Sequence, residues 1–215
     1  MRLHKFSNFN KGMTFIELIV VIGIFAAMTG IILFNFSGFN TNITLQNLAN
    51  QIALQIKSAQ TDAITGKASY FFTGFCGVDP NTGINLSCKP SYGVYFKVSD
   101  HSKFKYFADK NNDKQLIDTL CNSTGVGTEC LSEVEINTSD IINKICLDTS
   151  NCSTSLPLNI TFKRPFPDAN FDLAGIGGSN AEIEIKSAKN ICKTIKVGST
   201  GQIEIKNGPI SGTCQ

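Results

Sequence analysis

Between Met13 and Phe34 the chain reads MTFIELIVVIGIFAAMTGIILF, with Thr14, Glu17 and Thr29 as its only polar side chains. As a helix this run would be roughly 33 Å long, about the hydrocarbon thickness of a bilayer. The twelve residues before it hold Arg2, Lys5 and Lys11 and no acid. Basic flanks stay on the cytoplasmic side, so the bulk of the chain is expected across the membrane. Asn35-Phe36-Ser37-Gly38 follows the run, without the small-residue pattern of a signal-peptide cleavage site. A single-pass segment is therefore expected, in the inner (cytoplasmic) membrane, with the remainder outside the cytoplasm.

Glu17 is the informative residue. A carboxylate in an apolar span costs roughly 2.5–3.5 kcal/mol at mid-depth and less near an end, so such a group is normally paired. Cleavage between Gly12 and Met13 would create an α-amino group four residues earlier. That amine lies about one helical turn away on the same face, and a neighbouring copy's amine could come closer. A carboxylate–ammonium pair in a low-dielectric core sets register, because a misplaced subunit leaves a buried charge alone at several kcal/mol.

Lys11-Gly12-Met13-Thr14-Phe15-Ile16-Glu17-Leu18 resembles the processing motif of type IV prepilins and type II secretion pseudopilins. The resemblance implies that a prepilin peptidase cuts after Gly12 and methylates the amine of Met13, and that Glu17 guides assembly. It implies as partners other pilin or pseudopilin subunits in a helical filament, an inner-membrane assembly platform and the membrane, with the pilus or pseudopilus as final location. The implied fold is α+β and pilin-like: a long N-terminal helix packed on an antiparallel sheet, with a disulfide-rich insert. The order of the C-terminal strands resembles the H or FimT type of minor pseudopilin.

The division expected is a leader at 1–12 that is removed, a membrane or filament-core half of the helix at 13–36, an amphipathic half at 37–66, and an extracytoplasmic β-rich domain at 67–215. Within 37–66, Leu45, Leu48, Ile52, Ile56, Ala59 and Ala63 recur at three- and four-residue steps, one apolar stripe on a helix ending near Gly66. A weak or melted turn is expected across 35–42, where Ser37 and Gly38 stand. Strands are expected at 69–75, 92–98, 104–108, 133–136, 156–162, 181–185, 192–197 and 202–205, with a hairpin loop at Gly198-Ser199-Thr200-Gly201.

The formal charge of +2 comes from the leader; beyond it stand 16 basic and 17 acidic residues. Charge therefore gives no support to a nucleic-acid partner. Eight cysteines, Cys76, Cys88, Cys121, Cys130, Cys146, Cys152, Cys192 and Cys214, include no C-x-x-C pair, and only two histidines accompany them. Four disulfides in an oxidising compartment follow. Nearest-neighbour pairing is the simplest arrangement, and the sequence leaves other pairings open. The segment from about 76 to 155 reads as variable surface held by these bridges.

No cofactor is called for. Asp109, Asn111 and Asp113, with Asp118 beyond, place oxygens at alternate positions as calcium prefers. The glycine and glutamate of an EF-hand loop are missing, and a plain polar turn is the competing reading. No nucleophile elbow, phosphate loop or H-E-x-x-H motif points to an enzyme, and His101 reads as a surface residue. The alternative function is a pilin-like anchor displaying an adhesive or DNA-uptake module, with Lys186, Lys189, Lys193, Lys196 and Lys206 as a basic stripe that Glu182, Glu184 and Glu204 interrupt.

Overall fold

The apolar stripe that begins at Leu45 is completely enclosed: Leu45, Ala49, Ile52, Ile56, Ala59 and Ala63 have no accessible surface and Leu48 almost none. The computed structural model describes residues 12–66, 77–78, 85–86, 90–116, 120–121, 129–148, 150–163, 165–212 and 214, with backbone alone at 32–39. Helix α1 covers Phe15–Thr65. It is helical straight through 35–42, where a melted turn was expected, but it divides between two compact units, Met1–Asn40 and Thr41–Gln215.

Thirteen strands follow among the described residues: β1 (Gly77–Val78), β2 (Asn85–Leu86), β3 (Ser91–Lys97), β4 (Lys103–Asp109), β5 (Cys130–Glu135), β6 (Ile141–Leu147), β7 (Asn151–Ser153), β8 (Pro157–Phe162), β9 (Ala169–Leu173), β10 (Ile176–Gly178), β11 (Asn180–Lys186), β12 (Cys192–Gly198) and β13 (Ile203–Asn207). β1 and β2 pair with each other. The others make a six-stranded sheet, β10-β9-β8-β3-β4-β5, and a five-stranded sheet, β13-β12-β11-β6-β7, with every pairing antiparallel.

One core serves both sheets and the helix. Period-two alternation aims Tyr92, Val94 and Phe96 of β3, Phe104 and Tyr106 of β4, and Leu158, Ile160 and Phe162 of β8 at the same interior as Ile183 and Ile185 of β11 and Ile195 and Val197 of β12. The helix joins them through its stripe and through two polar contacts. Tyr106 donates its hydroxyl to Asp62 at 2.6 Å, and buried Gln60 donates Nε2 to the carbonyl of Pro167 at 2.8 Å. Gly201, at φ 76°, closes the β12–β13 hairpin hard against Gln60; a side chain there would meet both the left-handed backbone and the Gln60 amide.

The expected fold is corrected here. The folded unit is mostly β with two sheets, not one sheet under a long helix, and of α1 it takes only 41–65. The stretch assigned to a thin-cored insert instead supplies β3, β4 and β6, whose Tyr92, Phe96, Phe104, Ile142, Ile145 and Leu147 are central to the core. β6 was illegible for a specific reason. Its register with β11 shifts at Glu184/Ile185, so Ile142 and Ile145 are both buried although three residues apart, and strict alternation fails.

The membrane placement is corrected too. Among the described residues no helix is long and apolar enough to cross a membrane, which overturns the single-pass inner-membrane anchor expected at 13–36. Glu17 interrupts the apolar run, and the helix continues past Phe34 into Asn35, Ser37, Asn40 and Asn42 rather than ending at an interface.

Candidate functional site

The helix begins on a local signal. The Leu18 amide donates to the Thr14 carbonyl at 3.1 Å, the first intrahelical bond, and the Glu17 amide lies 3.4 Å from Thr14 Oγ1. Thr14 is thus the N-cap, and Glu17 holds the third helical position, where a capping-box carboxylate stands. The free amides of the first turn also favour a negative side chain. Sequence reasoning sought the partner of Glu17 in the Met13 amine of its own or a neighbouring copy and missed this role, although Thr14-Phe15-Ile16-Glu17 is a T-x-x-E pattern. Gly12 and Met13 precede the helix in non-helical backbone and are exposed.

On both sides of Glu17 the helix surface is apolar all round. Phe15 is 79% exposed, Phe25 72% and Ile31 66%, and Ile16, Ile19, Val20, Ile22, Ile24 and Met28 are also exposed. Steps of about 100° per residue distribute these around the whole helix, so no polar face remains. Thr29 does not interrupt this surface as a hydrogen-bonding group, because its hydroxyl donates to the Phe25 carbonyl at 2.8 Å.

The acidic loop is a turn braced mostly by its own amides, although Asp109 Oδ1 is buried without a hydrogen-bond partner among the described residues. Asp109 is fully buried, and its Oδ2 accepts the Lys114 amide at 3.1 Å. Asp113 donates its amide to Asn111 Oδ1 at 3.0 Å and accepts the Gln115 amide at 2.8 Å. Amides, not a converging set of oxygens, surround these carboxylates. Burial pushes the Asp109 carboxyl up to about 6, against the pull of the Lys114 amide. Among the described residues no group of three or more His, Cys, Asp or Glu side chains is placed to hold a metal ion. Asp118 lies outside the described residues.

Among the described residues three disulfides are formed: Cys121–Cys130, Cys146–Cys152 and Cys192–Cys214. Cys76 and Cys88 lie outside the described residues. The first bridge sets Cys121 against the cluster of Phe107 and Leu116, the second joins paired residues of β6 and β7, and the third anchors the C-terminal segment beside β12. Buried Glu184 holds that same segment by accepting the Ile210 amide at 2.8 Å and the Asn143 side-chain amide at 2.6 Å.

The lysines do not gather into one patch. Lys196 pairs with Glu182 at 3.3 Å, Lys206 with Glu204 at 3.4 Å, and Lys193 is turned inward to Asn207 Oδ1. His101 is exposed, with Nδ1 at 3.3 Å from the Ile142 carbonyl.

No family model, curated protein or solved structure matches the chain.

Proposed function

We propose that this chain is a filament-building subunit of the type IV pilin and pseudopilin kind, processed between Gly12 and Met13 and assembled through residues 13–34. The observation that carries the reading is the helix from Phe15 to Ile31, apolar around its circumference with a single carboxylate in its first turn. Each large side chain left in water forgoes about 1.5–3 kcal/mol of burial. The folded unit from Thr41 onward has its own closed core and is held together without this segment. Parallel copies of the same helix are a cover of matching length and chemistry. In such a bundle Glu17 would face the Met13 amine of a neighbour and fix the axial register, since a slipped helix strands both charges in apolar surroundings.

The partners in this reading are a prepilin peptidase, which hydrolyses the Gly12–Met13 bond and methylates the amine it releases, sister subunits, and an assembly platform. Support comes from the Lys11-to-Leu18 motif and from the exposed helix together. Intact-mass analysis of the protein from its native source tests it. The expected species has lost residues 1–12 and gained one methyl group. A chain that keeps its leader, or one that begins beyond Phe34, would contradict the proposal.

A further inference from the structure

Strand β13 is an edge of the five-stranded sheet, with no strand beyond it among the described residues. Its backbone pairing with β12 can be followed from both ends. The Gly198 amide donates to the Gln202 carbonyl at 2.9 Å, and the Gly208 amide to the Cys192 carbonyl at 2.9 Å. The register between these bonds is regular. Bonded positions alternate along an antiparallel strand, so Gln202, Glu204, Lys206 and Gly208 turn their backbone groups to β12. Ile203, Ile205 and Asn207 therefore present theirs outward, centred on Ile205.

We propose that β13 pairs antiparallel with β13 of a second copy of this chain, about a two-fold axis at Ile205, so that the two five-stranded sheets become continuous. In that register Ile205 faces Ile205, Ile203 faces Asn207, and Glu204 faces Lys206 twice. The two charge pairs occupy the non-hydrogen-bonded positions, where cross-strand side chains approach most closely. Within one chain Glu204 and Lys206 are already adjacent on the outer face and both about half exposed. On the inner side Ile203, Ile205 and the 70% exposed Leu54 of α1 line an open groove along the same edge, which adds apolar area to the contact.

The other edges lack this self-complementarity. β5 paired with itself about Val134 would set Glu133 against Glu135, like charge against like. β7 and β10 have three residues each, too few for a comparable ladder. Edge strands usually carry charge that discourages pairing; on β13 the two signs stand in the order that permits it. This proposal does not depend on the filament reading.

The full chain, with its apolar helix covered by detergent, is prepared in ¹⁴N and ¹⁵N forms, mixed, and treated with a zero-length carbodiimide. The expected product is a light–heavy peptide pair joined between Glu204 and Lys206. Glu204→Lys should lower the dimer fraction by about tenfold or more, since two attractions become two repulsions. Glu204→Lys combined with Lys206→Glu should restore it. Joins confined to light–light and heavy–heavy peptides would overturn the proposal. So would a dimer that Glu204→Lys leaves intact, which would place the association on α1, or one that the charge swap fails to rescue.

Discussion

In α1, Phe25 is 72% exposed and Ile52 has no accessible surface, although both are large apolar side chains on one run of helix. The difference lies in what surrounds them in sequence. From Leu45 to Ala63 the apolar residues, exposed Leu54 apart, keep to one stripe, and Asn47, Asn50, Ser58 and Thr61 fill the outer face. From Phe15 to Ile31 apolar residues take every face. A striped helix announces that its own chain will cover it, and the two sheets do so. A helix apolar all round announces that the cover comes from elsewhere.

The largest effects should come from the striped half. Ile52→Ala or Ile56→Ala removes a fully buried side chain from the shared core and should cost about 2–5 kcal/mol in chemical denaturation followed by a β-sheet signal. A loss below about 1 kcal/mol would mean that 41–65 is not integral to the folded unit.

Asp109 should give a smaller and pH-dependent effect. Its carboxyl titrates at about 6 in the folded chain against an ordinary 3.8, because it is buried. The folded state holds this proton more tightly, so its contribution to stability is full below pH 3.8 and is lost as pH rises through about 6. Asp109→Asn should flatten the stability profile across that window and stabilise the chain at pH 8 by about 1–3 kcal/mol. An unchanged slope between pH 4 and 7 would show that burial does not govern this group.

The smallest effect on folding should come from the all-apolar half. Ile22→Ala and Phe25→Ala should leave the same denaturation midpoint within about 0.5 kcal/mol, as changes outside a core do. A loss comparable to that of Ile52→Ala would erase the contrast between the two halves.

How much of this was legible follows the same logic. The stripe from Leu45 and the Gly198–Gly201 hairpin could be read because each has a local period or turn chemistry. The strands at 92–98 and 104–108 were legible too, and β3 and β4 stand there, but the weight of 90–153 in the core was not, because these alternations are short and flanked by cysteines, asparagines and threonines that suggest surface. β6 was hidden by its bulge at Asn143, and β9, which alternates cleanly from Ala169 to Leu173, by the prolines at 165 and 167. At the candidate sites, Asp109 stood in a polar run whose composition implies exposure, yet Ser91 and the Asn111–Lys114 turn enclose it. Thr14 was readable as a cap, but its partner Glu17 drew the whole interpretation.

Glu17 therefore decides the central claim, and two variants separate its roles. Glu17→Gln keeps a capping-box side chain and removes the charge, whereas Glu17→Ala removes both. Each is expressed beside the unaltered chain in the native source, and the processed subunit recovered in sheared or cross-linked filaments is compared at equal cellular level. If the carboxylate pairs with a neighbour's Met13 amine, both variants should be cleaved and folded normally, and both should fall in filaments by more than about tenfold. Glu17→Gln entering filaments as well as the unaltered chain would show that Glu17 only caps α1, and would contradict assembly through that charge pair.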